Sequence, residues 1–318
     1  MGDTVLFKSS QSQNIQMQVK DVSFETRTGR ISALEWGGSC SDYEQTILAA
    51  HGWLDNAASF HRLAPLLLER LPKTRFLAID LPGHGKSDHL KGQIGYPIWV
   101  HTQALYDVLT HLQGPVHLLA HSMGAGASTL LAGSHPDKIR TACFLDALGP
   151  MALEAKDVRT QFSEALEQLG VKSEFEKKSL PKQRIYESLE LAVKARIRGN
   201  LTGPGLVVAD IEPVVSRNLR LVANGFEWRT DPVLRMASPM RLSQEVLNEF
   251  LKSMDWPVMV LMADQGIHEV DKIQSRYKLL PSAKLEYLPG HHYFHLDAAT
   301  VSQIAVSISG FIKECTNI

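Results

Sequence analysis

The residues best placed for covalent chemistry are Ala120-His121-Ser122-Met123-Gly124. A serine with a small residue two positions to either side, after the apolar run from Val116 to Ala120 and before the small-residue stretch from Ala125 to Ser134, fits a strained strand-to-helix turn. Such a turn tolerates only small neighbours and lifts the hydroxyl clear of the sheet. It also leaves the next backbone N–H, that of Met123, free at a helix N-terminus, where positive potential meets a developing oxyanion. A serine hydroxyl needs a neighbouring base, and His291, His292 and His295 in Pro289-Gly290-His291-His292-Tyr293-Phe294-His295-Leu296 compete for that part. The same cluster invites a metal reading, but no second ligand group at helical spacing accompanies it. A carboxylate to orient the base could be Asp146, after the run Thr141 to Leu145, or Asp264, after Val258 to Ala263. Either also suits a plain turn or cap. His51-Gly52-Trp53-Leu54-Asp55 closes another apolar run. Gly52 lets the backbone approach a reacting carbonyl, and the Trp53 N–H is the candidate second oxyanion donor beside that of Met123. His51 and Asp55 read as loop bracing and helix capping.

These residues must be held by strands alternating with helices. Asp21 to Thr26 and Ile31 to Trp36 flank Thr28-Gly29-Arg30 as a β-hairpin. Strands are then expected at 46–50, 75–79, 116–120 and 141–145, and helices over 57–71, 96–112 and 125–134, the first capped by Asp55 or Ser59. The loop from Asp80 to Asp88 reads as structural support near the site. Such alternation means a mostly parallel sheet covered on both faces, with ligands beyond the carboxyl ends of its strands. The rhythm breaks after Pro150. Residues 151 to about 250 carry helix-like segments rich in Lys, Arg and Glu, such as Lys156 to Leu169 and Lys182 to Arg198, interrupted by turn signals from Asn200 to Gly205. Strand rhythm returns at 257–262 and 284–288, before a closing helix over 298–313. The expected organisation is a discontinuous α/β core, 1–150 and 251–318, with a helical cap, 151–250, inserted after the sixth strand.

Composition narrows the classes. The chain has 318 residues, 44% of them hydrophobic and 21% charged, so its bulk is not disordered. Lys and Arg total 33 against 34 Asp and Glu, a formal net charge of -1, which gives no footprint for nucleic acid or an anionic membrane. Cys40, Cys143 and Cys315 are neither a disulfide framework nor a zinc pattern. The polar, loose N-terminus lacks a secretory pattern, Leu6 stands where myristoylation wants Ser or Thr, and no run approaches the length that spans a bilayer. A cytoplasmic setting is expected, without nucleic-acid or membrane partners. No oligomeric state is legible.

Together these motifs resemble the α/β-hydrolase superfamily over most of 47–149 and 257–313. The stretch from His51 to Phe60 is similar to the serine-hydrolase-like proteins, which lie near the epoxide hydrolases and haloalkane dehalogenases. The resemblance implies an α/β-hydrolase fold. In the dehalogenase branch the triad acid often follows the sixth strand, 24 residues past the nucleophile, and Ser122 to Asp146 has that spacing. The family's last loop has Gly, one variable residue, His, two more residues, then His, which places the catalytic role on His292 and leaves His295 as the second histidine. Two departures matter. The nucleophile is Ser rather than Asp, against an alkyl-enzyme ester. Ala263-Asp264-Gln265-Gly266 lacks the usual Asp three residues after a Gly, which favours Asp146 over Asp264.

The function expected is hydrolysis of esters or related acyl compounds of small, apolar substrates. The catalytic set would be Ser122, His292 and Asp146, with Asp264 the alternative acid, and Trp53 and Met123 as the oxyanion donors. No cofactor or metal is required. A carbon–carbon bond hydrolase or a thioesterase could use the same triad, and a non-catalytic binding scaffold is the reading from another class. Trp53, Trp99, Phe226 and Trp228 are candidate apolar walls of the substrate pocket.

Overall fold

The computed structural model describes residues 18–37, 43–91, 95–170, 184–199 and 205–316, with the backbone alone at 4, 5, 169 and 170. Cys40, most of the polar N-terminus, the start of the Lys182 segment and all of the turn from Asn200 except Gly205 lie outside these. In chain order the elements are β1 (Thr4–Val5), β2 (Val19–Thr26), β3 (Gly29–Trp36), β4 (Gln45–Ala50), α1 (Leu63–Arg70), β5 (Thr74–Ile79), α2 (Ile98–Leu109), β6 (Val116–His121), α3 (Met123–Ser134) and β7 (Ile139–Leu145). After β7 come α4 (Val158–Gly170), α5 (Leu189–Arg198), α6 (Val208–Asn218), β8 (Leu219–Val222), β9 (Gly225–Trp228) and α7 (Gln244–Lys252). The chain closes with β10 (Val258–Gln265), α8 (Val270–Tyr277), β11 (Ala283–His291) and α9 (Val301–Thr316).

One sheet runs in the order β1-β2-β3-β5-β4-β6-β7-β10-β11. The six strands from β5 to β11 in that order are parallel, and β3 joins them antiparallel through Ala33↔Ile79 and Trp36↔Phe76. Alternate residues go to opposite faces. Ile47, Ala49, Phe76, Ala78, Leu119 and Leu145 pack under α1 and α9. Leu48, Leu77, Leu118, Ala142, Phe144 and Val260 pack under α2 and α3 on the other face. Burial on both faces is why these strands read as continuous apolar runs. Among the described residues no helix is long and apolar enough to cross a membrane.

Among the described residues the inserted section packs most of its buried apolar side chains onto the two core clusters. Ala192 and Val193 of α5, and Ile211, Val214 and Val215 of α6, join the cluster beneath α1 and α9. Leu247 and Leu251 of α7, which spans residue 250, join the other. The section is also not purely helical: β8 and β9 form an antiparallel hairpin turning at Ala223-Asn224. Asn224-Gly225 is the sequence signal for such a turn. Gly225 has φ +131, and a β-carbon there would run into the Tyr186 carbonyl. The single helix expected over 57–71 is two pieces, a 3-10 turn (Ala57–Phe60) and α1. The cap of that turn is neither Asp55 nor Ser59 but Asn56, whose side chain accepts from the Ala58 N–H at 2.9 Å. Asp55 is committed elsewhere, as described below.

Candidate active site

Ser122 joins β6 to α3 with φ +51 and ψ −118, a strained backbone for a non-glycine residue. Its N–H donates to the Leu145 carbonyl at 3.1 Å, and its own carbonyl accepts from Gly126 at 3.1 Å, so the turn is fixed from both sides. Small neighbours are a steric need. A β-carbon on Gly124 would come within 2.5 Å of the Ala50 and His51 carbonyls. On the other side, Ala120 is buried in register with Ala50 of β4 and Phe144 of β7.

His292 reaches this serine from the turn after β11. Its Nε2 lies 2.9 Å from Ser122 Oγ, and its Nδ1 lies 2.5 Å from Asp146 Oδ2. With the Nδ1–H donated to the carboxylate, Nε2 is left to accept the serine proton. Asp146 is fully buried at φ +44, and its second oxygen accepts from the Ala263 N–H at 3.1 Å. Asp264 is exposed and does not meet His292. Its carboxylate accepts from the Gly290 N–H at 2.9 Å and so braces the loop that carries His292. The three histidines of that loop diverge: His295 is buried, with Nε2 2.9 Å from Ser59 Oγ, and His291 begins the turn through the Phe294 N–H bond to its carbonyl. Burial drives the His295 pKa down to about 3.

The loop after β4 lies against the serine. A β-carbon on Gly52 would meet His121 Nδ1 at 2.8 Å and Ser122 Cβ at 3.3 Å. His51 braces this loop as expected, with Nε2 accepting from Leu81 N–H and Nδ1 donating to the Gly52 carbonyl. The Met123 N–H, first in α3, has no intrahelical acceptor. Among the described residues the Trp53 N–H likewise meets no backbone acceptor. Two unclaimed N–H groups therefore flank Ser122, on the loop and at the helix N-terminus, where they could take up negative charge. The Trp53 ring is exposed, and its indole N–H donates to the Leu234 carbonyl at 2.9 Å.

Residues 45–169 match a family described as the α/β hydrolase fold. A solved hypothetical protein from Pseudomonas aeruginosa PAO1 is 33% identical, superposes with a TM-score of 0.79, and pairs 92% of this chain with 99% of its own. The chain belongs to the α/β-hydrolase family. A serine hydrolase-like protein of Danio rerio is 24% identical over 85% of this chain and 81% of its own length. A thioesterase domain from the curacin biosynthetic pathway shares the fold at a TM-score of 0.76 and 24% identity.

Three features of this α/β hydrolase's site escape a reading of residue types. Gly266 ends the turn after β10, and a β-carbon there would sit well inside contact with both Asp146 carboxylate oxygens. The absence of a side chain at Gly266 leaves the space that the Asp146 carboxylate occupies. His121, beside the serine, is buried. It donates from Nε2 to the His292 carbonyl at 2.8 Å and fixes the backbone of His292, and burial holds its own pKa well below the usual histidine range. His268 packs its ring 6.1 Å from that of His292, with its pKa also lowered by burial. Of the aromatic walls, Trp53 and Trp99 are exposed, whereas Phe226 and Trp228 pack against the cluster beneath α1 and α9.

Proposed function

We propose that this α/β hydrolase is a serine hydrolase that cleaves esters or related acyl compounds of small, apolar substrates through an acyl-enzyme. The observation that carries the reading is the continuous hydrogen-bonded line from Ser122 Oγ through His292 to the buried Asp146. Ser122 Oγ attacks the acyl carbonyl as His292 Nε2 takes its proton. The carbonyl oxygen becomes the oxyanion between the Trp53 and Met123 N–H groups. Asp146 holds the imidazole in the right tautomer and stabilises the imidazolium. His292 then returns the proton to the leaving alkoxide, the carbon–oxygen bond breaks, and the alcohol departs. Water enters, gives a proton to His292 as its oxygen bonds the acyl carbon, and collapse of the second oxyanion frees Ser122, which recovers the proton.

Ser122→Ala tests this. The variant is expected to lose turnover of short-chain p-nitrophenyl esters and labelling by a fluorophosphonate probe. Labelling that persists unchanged would overturn the assignment.

A further inference from the structure

The loop carrying the Trp53 N–H is held by two different parts of the chain. Its ends belong to the core: His51 accepts from Leu81 N–H at 3.0 Å, and Ala57 N–H donates to Asp80 Oδ1 at 2.7 Å. Between them, Trp53, Leu54, Asp55 and Asn56 are each bonded to the inserted section. Trp53 Nε1 donates to the Leu234 carbonyl at 2.9 Å. Asn218 Nδ2 of α6 donates to the Leu54 carbonyl at 3.3 Å. Arg196 Nη2 of α5 donates to Asp55 Oδ1 at 2.8 Å. Asn56 Nδ2 donates to the Val214 carbonyl at 2.7 Å. No two consecutive residues of the loop lean on the same element, and the anchors come from α5, from α6 twice, and from Leu234.

The backbone conformation gives these bonds a purpose. Leu54, directly after Trp53, is fully buried at φ +60, in the left-handed region that a bulky side chain avoids. Such a conformation persists only where surrounding contacts over-determine it. Released from them, the backbone at Leu54 relaxes, and the neighbouring Gly52–Trp53 peptide, which carries the Trp53 N–H, loses its fixed orientation. Asp55 and Arg196 are both buried, so their pair is a tight constraint on the loop rather than a solvated surface contact.

We infer that the inserted section positions the oxyanion loop, with Arg196 as its main positioning residue, so that the insertion governs the rate of acyl transfer and not only the choice of substrate. This rests on the serine-hydrolase reading above. A misplacement of about 1 Å in a catalytic donor is enough to cost roughly a hundredfold.

The test is Arg196→Met in the full chain, assayed with p-nitrophenyl esters from acetate to octanoate and by the rate of fluorophosphonate labelling. The expectation is a fall in kcat of about tenfold or more, by the same factor at every chain length, with KM within about twofold and a matching fall in labelling rate. Arg196→Lys, which keeps a charge for Asp55, should recover part of the loss. Trp53→Phe keeps a ring at an exposed position and removes only the bond to Leu234; it should lower kcat a few-fold, again uniformly. It decides the matter if Arg196→Met does not fold. A loss that sits in KM or varies with chain length would make Arg196 a wall of the substrate site, and an unchanged kcat in the folded variants would remove the clamp. Either result overturns the inference. Labelling of the wild type that is lost in Ser122→Ala upholds the underlying reading whatever Arg196→Met does.

Discussion

The core and the inserted section bury polarity in opposite ways. All 13 histidines lie outside residues 151–250. Those deep in the core, among them His51, His84, His101, His117, His121 and His295, have their pKa values driven down by burial and are kept neutral. The insertion instead meets the core through ion pairs, buried on both sides for Arg196 with Asp55 and Arg217 with Asp80, and half-buried on the core side for Arg217 with Asp21 and Asp210 with Arg62. Neutral rings can be stacked beside a reactive site without imposing a field. A charge pair adds little net stability over an apolar contact, but it is costly to break and admits few geometries. The core's histidines thus border the candidate site without charge, and the boundary's polar groups arrange the insertion.

The sharpest way to break that contrast lies in the core, where two acids end neighbouring strands. Asp146→Asn should lower kcat by about 10⁴, because the amide favours the wrong imidazole tautomer. Asp264→Asn should cost less than about tenfold, because it weakens only a brace on Gly290. Side-by-side turnover of the two variants checks this, and a larger loss in Asp264→Asn would reverse the assignment.

What was readable follows from how local the physics is. Ser122, Gly124 and Gly52 obey steric rules that act within a few residues, so their types and spacing pointed to the turn they form. The parallel strands announced themselves because burial on both faces leaves no polar alternation. The choice between Asp146 and Asp264 was not readable from residue types, since both follow apolar strands. It turns on side-chain direction and on the room left by Gly266. The anchors of the loop from Trp53 to Asn56 are invisible in the sequence for a different reason. Arg196 and Asp55 are 141 residues apart, and a charged residue in a Lys- and Arg-rich helix reads as a solvated face until a partner is seen. The β8–β9 hairpin was legible at Asn224-Gly225 and was masked by the helical reading around it.

The boundary gives the next largest effect. Arg217 of α6 is buried against the fully buried Asp80, which also accepts from the Ala57 and Lys86 N–H groups. Arg217→Met should destabilise the protein by about 3–5 kcal/mol, because it leaves that carboxylate short of its cation. Thermal unfolding should show a drop of about 5–7 °C. Adding Asp80→Asn should return part of the loss. Arg220→Met breaks the exposed hairpin pair with Glu227 and should cost under about 1 kcal/mol, the control for a charge pair at the surface. Equal losses from the two arginines would erase the distinction between boundary and surface.

The smallest effect per residue tests the core's neutral histidines. A histidine whose folded pKa lies below its unfolded value near 6.5 binds fewer protons folded than unfolded once pH falls below that value. Its cost to stability is therefore absent above about pH 6.5. The cost appears as pH falls through 6.5 and grows until the folded pKa is reached, at about 4 for His84 and His117 and about 3 for His295. Within that window each such histidine should remove about 1.4 kcal/mol of stability per pH unit. His101 isolates one of them. It is buried, its pKa is likewise depressed, and among the described residues neither ring nitrogen has a hydrogen-bond partner. Its ring stacks on Tyr96 and meets His84 edge-on. Phenylalanine preserves the ring and sacrifices no bond, so His101→Phe should be neutral or stabilising at pH 7.5. Urea unfolding at pH 7.5 and 5.5 should then show the wild type losing more stability on acidification than the variant, by about 1.4 kcal/mol. An identical pH dependence in the two proteins would mean that His101 takes up its proton in the folded state. The core's histidines would then carry buried charge, as the boundary's ion pairs do.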